Sequence, residues 1–140
     1  MSNESNKAVS RRFHELFNTN QLDPIRDELF TDESVIHFPG MPAMNIEAFK
    51  QVGIVFRAGF PDLNTKVVDQ IAEGDKVVTR IVSTGTHTGD FQGIPATGKP
   101  IRVEGIIIER FANGRIVERW DQFDQLGMMQ QLGVIPMPQG

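Results

Sequence analysis

IRVEGIIIERFANGRIVERWDQF, residues 101–123, holds two β-branched runs on either side of Ala112-Asn113-Gly114. An Asn-Gly pair tolerates the positive φ angles of a tight turn, so Ile101–Phe111 and Arg115–Phe123 are predicted to pair as an antiparallel hairpin. The same signature continues upstream, where Leu63–Ile71 and Lys76–Thr88 read as two more strands joined at Glu73-Gly74-Asp75. Between the two hairpins, Gly89–Pro100 contains Gly89, Gly93, Pro95, Gly98 and Pro100, which shape a loop at an end of the sheet.

Ahead of the strands the periodicity changes to that of helices. Val9, Phe13, Leu16 and Phe17 form one apolar stripe over Lys7–Phe17. Asp23 before Pro24 suits an N-cap, with Ile25, Leu29 and Phe30 marking a short second helix. Val35–Phe38 reads as a short strand stopped by Pro39-Gly40, and Asn45 caps a third helix to Ala58, ended by Gly59. A last helix, Gln125–Leu132, ends at Gly133 before a proline-containing tail. Helices followed by a run of antiparallel strands predict an α+β layer built as one domain over 1–140, its helices covering one sheet face and enclosing an apolar pocket.

Composition narrows what such a pocket does. Fourteen basic against eighteen acidic side chains give a formal charge of −4, and the basic residues are scattered, which argues against nucleic acid as a partner. Neither a signal-peptide run nor the roughly 18 apolar residues that span a bilayer occurs, so no membrane association and a cytoplasmic location are expected. The absence of cysteine excludes thiolate ligands and nucleophiles, and the absence of tyrosine excludes a phenolic acid or donor. His14, His37 and His87 lack the spacing that puts two imidazoles on one metal, so no metal is expected.

Several residues are candidates for chemistry. His14, among polar neighbours on its helix, reads as solvated. His37 at a strand end and His87 at the start of the shaped loop are either partly buried imidazoles or pocket groups. Strand alternation puts Glu118, Trp120, Gln122 and Asp124 on one face and Arg119, Asp121 and Phe123 on the other. A carboxylate beside the Trp120 indole would have its pKa raised by desolvation and suit acid/base work, which points to Asp124 or Glu118. Asp124 also immediately precedes the last helix, and local sequence favours it as an N-cap. Apolar side chains on both faces, Val78, Val82, Ile106 and Ile108 among them, imply a sheet covered twice and a homodimer packed sheet to sheet.

Four blocks, in order, resemble the SnoaL-like polyketide cyclase and ester cyclase family of the nuclear-transport-factor-2-like cone fold. They are Gly59-Phe60-Pro61-Asp62-Leu63, the run Gly85 to Lys99, Gly114 to Trp120, and Asp124-Gln125-Leu126-Gly127 continuing to Leu132-Gly133. The resemblance implies a cone-shaped curved antiparallel sheet, a homo-oligomer, and a small apolar carbonyl substrate of polyketide type. It also implies ring closure by intramolecular aldol chemistry with no metal or organic cofactor and an aspartate as acid/base. On this chain that aspartate falls at Asp124, with Asp121 as the alternative, and His87 takes a family-typical position. Trp120, His37, Phe60, Phe91 and Glu118 are expected to contact substrate, with Phe91 on a loop that acts as lid, interface arm or plain connection. A binding protein without catalysis, and a hydrolase or hydroxylase on the same fold, are the competing expectations.

Overall fold

Alternation of inward and outward side chains organises the whole sheet. A computed structural model describes residues 2–136, and the last part of the proline-containing tail lies outside the described residues. Helix α1 spans Asn3–Asn18, with Ser2 accepting from the Ser5 amide as its cap, so it begins ahead of the Lys7–Phe17 stripe. A single turn, α2 (Leu22–Pro24), runs into a π-helical turn at Ile25–Leu29. Strand β1 (Phe30–His37), helix α3 (Ile46–Gly59), strands β2 (Asn64–Glu73), β3 (Lys76–Thr86), β4 (Pro100–Ala112) and β5 (Arg115–Phe123), and helix α4 (Gln125–Gln131) follow.

The strands form one sheet in the order β1-β5-β4-β3-β2. Pairing is antiparallel throughout β2 to β5, and β1 joins β5 in parallel, so the expected all-antiparallel sheet has a parallel edge. The β4–β5 turn uses Asn113 at φ 53° and Gly114 at φ 77°, the backbone that the Asn-Gly pair allows. Asn45 caps α3 by accepting from the Ala48 amide at 2.9 Å. Asp23 does not cap: Gln21 stands at that position, and the Asp23 carboxylate instead takes the Lys50 ammonium at 2.5 Å.

Strand β4 shows the two-faced pattern most clearly. Ile101, Val103, Ile107, Glu109 and Phe111 are buried, whereas Ile106 and Ile108 are exposed. The inward side chains meet α1 and α3, and two apolar clusters result. One joins Phe13, Leu16, Ile25, Leu29, Phe30 and Ile36; the other joins Phe60, Leu63, Phe91, Ile101, Val103, Met128 and Leu132. No helix among the described residues is long and apolar enough to cross a membrane.

Candidate active site

Between the two clusters the helices stand off the sheet and leave a cavity of about 120 Å³, lined from both. Its walls are mostly apolar: Phe13, Phe17, Phe38, Phe49, Phe56, Leu63, Ile81, Ile101, Val103, Phe123 and Met128. The polar groups reaching it are His14, Thr65, Ser83, Arg119, Asp121 and Gln122, and Asp121 is the one carboxylate among these described lining residues.

Arg119 and Asp121 sit two apart on β5 and therefore share the inward face. Arg119 Nε donates to Asp121 Oδ2 at 2.8 Å and Nη2 to Oδ1 at 3.3 Å, a bidentate grip that fixes the carboxylate. From the neighbouring strand, Glu109 accepts from Arg119 Nη1 at 2.9 Å, and Ser10 on α1 donates to its other oxygen at 2.6 Å. The guanidinium also lies 4.0 Å from the Phe13 ring centroid. Burial pushes the Glu109 carboxyl up, against the pull of Arg119. One cation thus holds two buried carboxylates, and only Asp121 opens onto the cavity.

Asp124 is placed elsewhere. Its Oδ1 accepts from the Gly127 amide at 2.8 Å as the N-cap of α4, outside the cavity lining. Trp120, His37 and Glu118 lie on the outer face of the sheet. The parallel β1–β5 register puts His37 beside Trp120, their rings stack at 5.4 Å, and His37 Nε2 is 2.7 Å from Glu118 Oε2. The reason for the reversal is that Arg119, Asp121 and Glu109 neutralise one another inside, which leaves the indole outside.

His87 is fully buried behind Phe60, ring centroids 5.3 Å apart, and does not line the cavity. Its Nδ1 accepts from the Thr97 amide at 3.2 Å, while its backbone bonds to Lys99 and Gly98, so it ties the two ends of the 89–100 loop together. Phe60 belongs to the second apolar cluster and stands outside the lining. Phe91 is 1% exposed, wedged 4.9 Å from Phe56 and 5.3 Å from Phe60. Gly89 has the Ala58 carbonyl where a Cβ would stand, so the loop root presses directly on the end of α3. The loop is a fastened brace, and one side of Phe91 edges an outer hollow of about 450 Å³ shared with Met41, Gln92, Leu126 and Met129. Phe38, Phe56 and Phe123, with ring centroids 5.5–6.0 Å apart, line both this hollow and the inner cavity.

His14 is the group that sequence reasoning missed. It is 4% exposed, lines the cavity, and its Nδ1 lies 2.8 Å from Thr65 Oγ1. Burial first, and the Arg119 charge second, hold its pKa down to about 3. A signal was available: Asn6, Ser10 and His14 repeat every four residues, so they form a polar stripe on α1, and all three are buried. That stripe faces the polar side chains of the inner sheet surface, as the Ser10–Glu109 and His14–Thr65 contacts show.

A curved sheet closed by helices around a mostly apolar cavity with one gripped carboxylate is the nuclear-transport-factor-2-like architecture. Within it, the chain belongs to the SnoaL-like polyketide cyclase family, which it matches over residues 7–132. It is 28% identical over 136 residues to aklanonic acid methyl ester cyclase DnrD of Streptomyces peucetius, covering 93% of this chain and 92% of that protein. Among solved structures it resembles IdmH of Streptomyces antibioticus, a proposed polyketide cyclase, at 34% identity and TM-score 0.83, covering 92% of this chain and 99% of the other. It also resembles AclR of Streptomyces galilaeus, a proposed hydroxylase, at 26% identity and TM-score 0.89, covering 99% and 87%.

Proposed function

We propose that the protein, acting as a single domain, closes a ring in an apolar polyketide-type substrate by intramolecular aldol addition without a cofactor. Asp121 serves as base and then acid. The observation that carries this reading is the Asp121 carboxylate, held by Arg119 in an otherwise apolar cavity. Asp121 takes the proton from the carbon next to a carbonyl, and the resulting enolate carbon attacks a second carbonyl within the same molecule. One C–C bond forms, and the proton on Asp121 passes to the new alkoxide, so the product has the composition of the substrate. The relatives named as cyclases supply the substrate class, and the cavity supplies its apolar character.

Incubation with aklanonic acid methyl ester, followed by mass analysis, tests this. The expected product has unchanged mass and one new ring. Gain of one oxygen would favour the hydroxylase reading that the likeness to AclR suggests. Release of methanol with formation of the free acid would make the protein a hydrolase, and saturable binding without conversion would make it a carrier.

A second copy of the chain, on this reading, covers the outer sheet face. Ile71, Val78, Ile108, Trp120 and His37 are register neighbours across all five strands, forming one outward row, with Ile71 65% and Ile108 37% exposed. Sedimentation is expected to show a dimer at micromolar concentration that Ile108→Lys dissociates. A wild-type monomer under those conditions would refute sheet-to-sheet pairing.

A further inference from the structure

We propose that His14 is a second catalytic residue, whose Nε2–H donates a hydrogen bond to the carbonyl oxygen of the substrate as Asp121 removes the adjacent proton. The inference rests on the proton-transfer reading given above and adds the group that would bear the enolate's charge. An enolate forming in an apolar cavity places negative charge on oxygen, and a donor already in position stabilises that charge without reorganisation.

Three features of the imidazole fit this role. The first is its accessibility. Only Nδ1 is tied down, at 2.8 Å from Thr65 Oγ1, and Nε2 has no hydrogen-bond partner among the described residues. The sealed, partnerless side-chain atoms of the described residues are Asn6 Oδ1, Arg57 Nε and His87 Nε2. The His14 Nε2 is not one of these, and the space the ring reaches is the cavity it lines. The polar stripe of α1 thus ends in one nitrogen that the fold itself leaves unused.

The second feature is the tautomer. The Thr65 hydroxyl has a single hydrogen and two neighbours, His14 Nδ1 at 2.8 Å and Asn18 Oδ1 at 3.3 Å. Asn18 Oδ1 already accepts from the Thr65 amide at 2.7 Å. Giving the hydroxyl hydrogen to the shorter contact makes Nδ1 the acceptor and leaves the ring hydrogen on Nε2, where it points to the cavity.

The third feature is charge state. With its pKa held down to about 3, His14 stays neutral around pH 7. A neutral imidazole polarises a carbonyl by hydrogen bonding and does not deliver a full proton to the enolate, so carbon remains the nucleophile. The Arg119 guanidinium, occupied by Asp121 and Glu109, disfavours a second positive charge nearby.

The test uses 4-nitrophenol at pH 8, where it is the phenolate, as an enolate analogue, with nitrobenzene as its uncharged counterpart. Binding is measured in the Asp121→Asn protein, whose amide stands for the carboxylic acid present once the proton has been taken. Adding His14→Leu is expected to weaken phenolate binding about 10- to 100-fold, the span of one hydrogen bond to a charged acceptor, and to leave nitrobenzene binding unchanged. Equal phenolate affinity with and without His14 would overturn the proposal. Failure of both probes to bind the Asp121→Asn protein would refute the apolar-pocket reading, and the role of His14 would fall with it. Nitrogen-15 NMR of the wild-type protein at pH 7 gives an independent check that needs no variant. A hydrogen on Nε2 is expected, and a hydrogen on Nδ1 would overturn the assignment.

Discussion

Acidification from pH 7 to pH 4 is expected to cost the wild-type protein about 3 kcal/mol more stability than it costs His14→Leu. His14 has an ordinary pKa of 6.5 when the chain is unfolded and about 3 when folded. Between these values the unfolded chain binds a proton that the folded chain refuses, so stability rises with pH across the window and falls as pH drops through it. Each pH unit inside the window is worth about 1.4 kcal/mol. Glu109 works in the opposite direction, because a carboxyl raised by burial favours the folded state at low pH and disfavours it as pH rises. The comparison with His14→Leu separates the two, since Glu109 is common to both proteins. Denaturant unfolding at pH 7, 5.5 and 4 reads the difference directly. Two parallel stability curves would show that His14 charges as easily inside the fold as outside it.

The fold was legible in short-range chemistry. Asn113-Gly114 dictates a turn whatever surrounds it, and Asn45 and Asp124 cap helices with their own side chains. Each depends on residues no more than three positions apart. The parallel pairing of β1 with β5 was not legible, because it joins Ile36 to Arg119 across most of the chain.

The site was legible only as two alternatives. Alternation separates Arg119 and Asp121 from Glu118 and Trp120 but does not say which pair faces inward. Judged by polarity alone, the indole belongs inside and the charges outside. The opposite holds because Glu109 from the adjacent strand and Asp121 together satisfy a guanidinium that would otherwise be too costly to bury, while Ser10 from α1 donates to the other Glu109 oxygen. His14 was hidden for a related reason: its polar neighbours on the helix suggest solvent, and only the partner Thr65 on β2 makes its burial acceptable. The place of His87 beside a shaped loop leaves a buried imidazole and a pocket group both open, and the structure shows the buried one, whereas Phe91, expected to contact substrate, packs into the second cluster and edges only the outer hollow.

If Asp121 transfers the proton and Asp124 only caps α4, one comparison separates the two carboxylates. Asp121→Asn keeps the shape and one accepting oxygen for the Arg119 donors but has no basic oxygen to take a proton, and Glu109 remains to balance Arg119. Ring closure is therefore expected to fall about 10²- to 10⁴-fold, with the fold intact by circular dichroism. Asp124→Asn preserves a capping oxygen for the Gly127 amide and is expected to leave the rate within a factor of about two, since asparagine caps as well as aspartate. Single-turnover ring closure of aklanonic acid methyl ester by the wild-type protein and these two variants is the decisive measurement. Loss in Asp121→Asn alone is expected; full activity in Asp121→Asn together with loss in Asp124→Asn would move proton transfer to Asp124 and refute the role of Asp121.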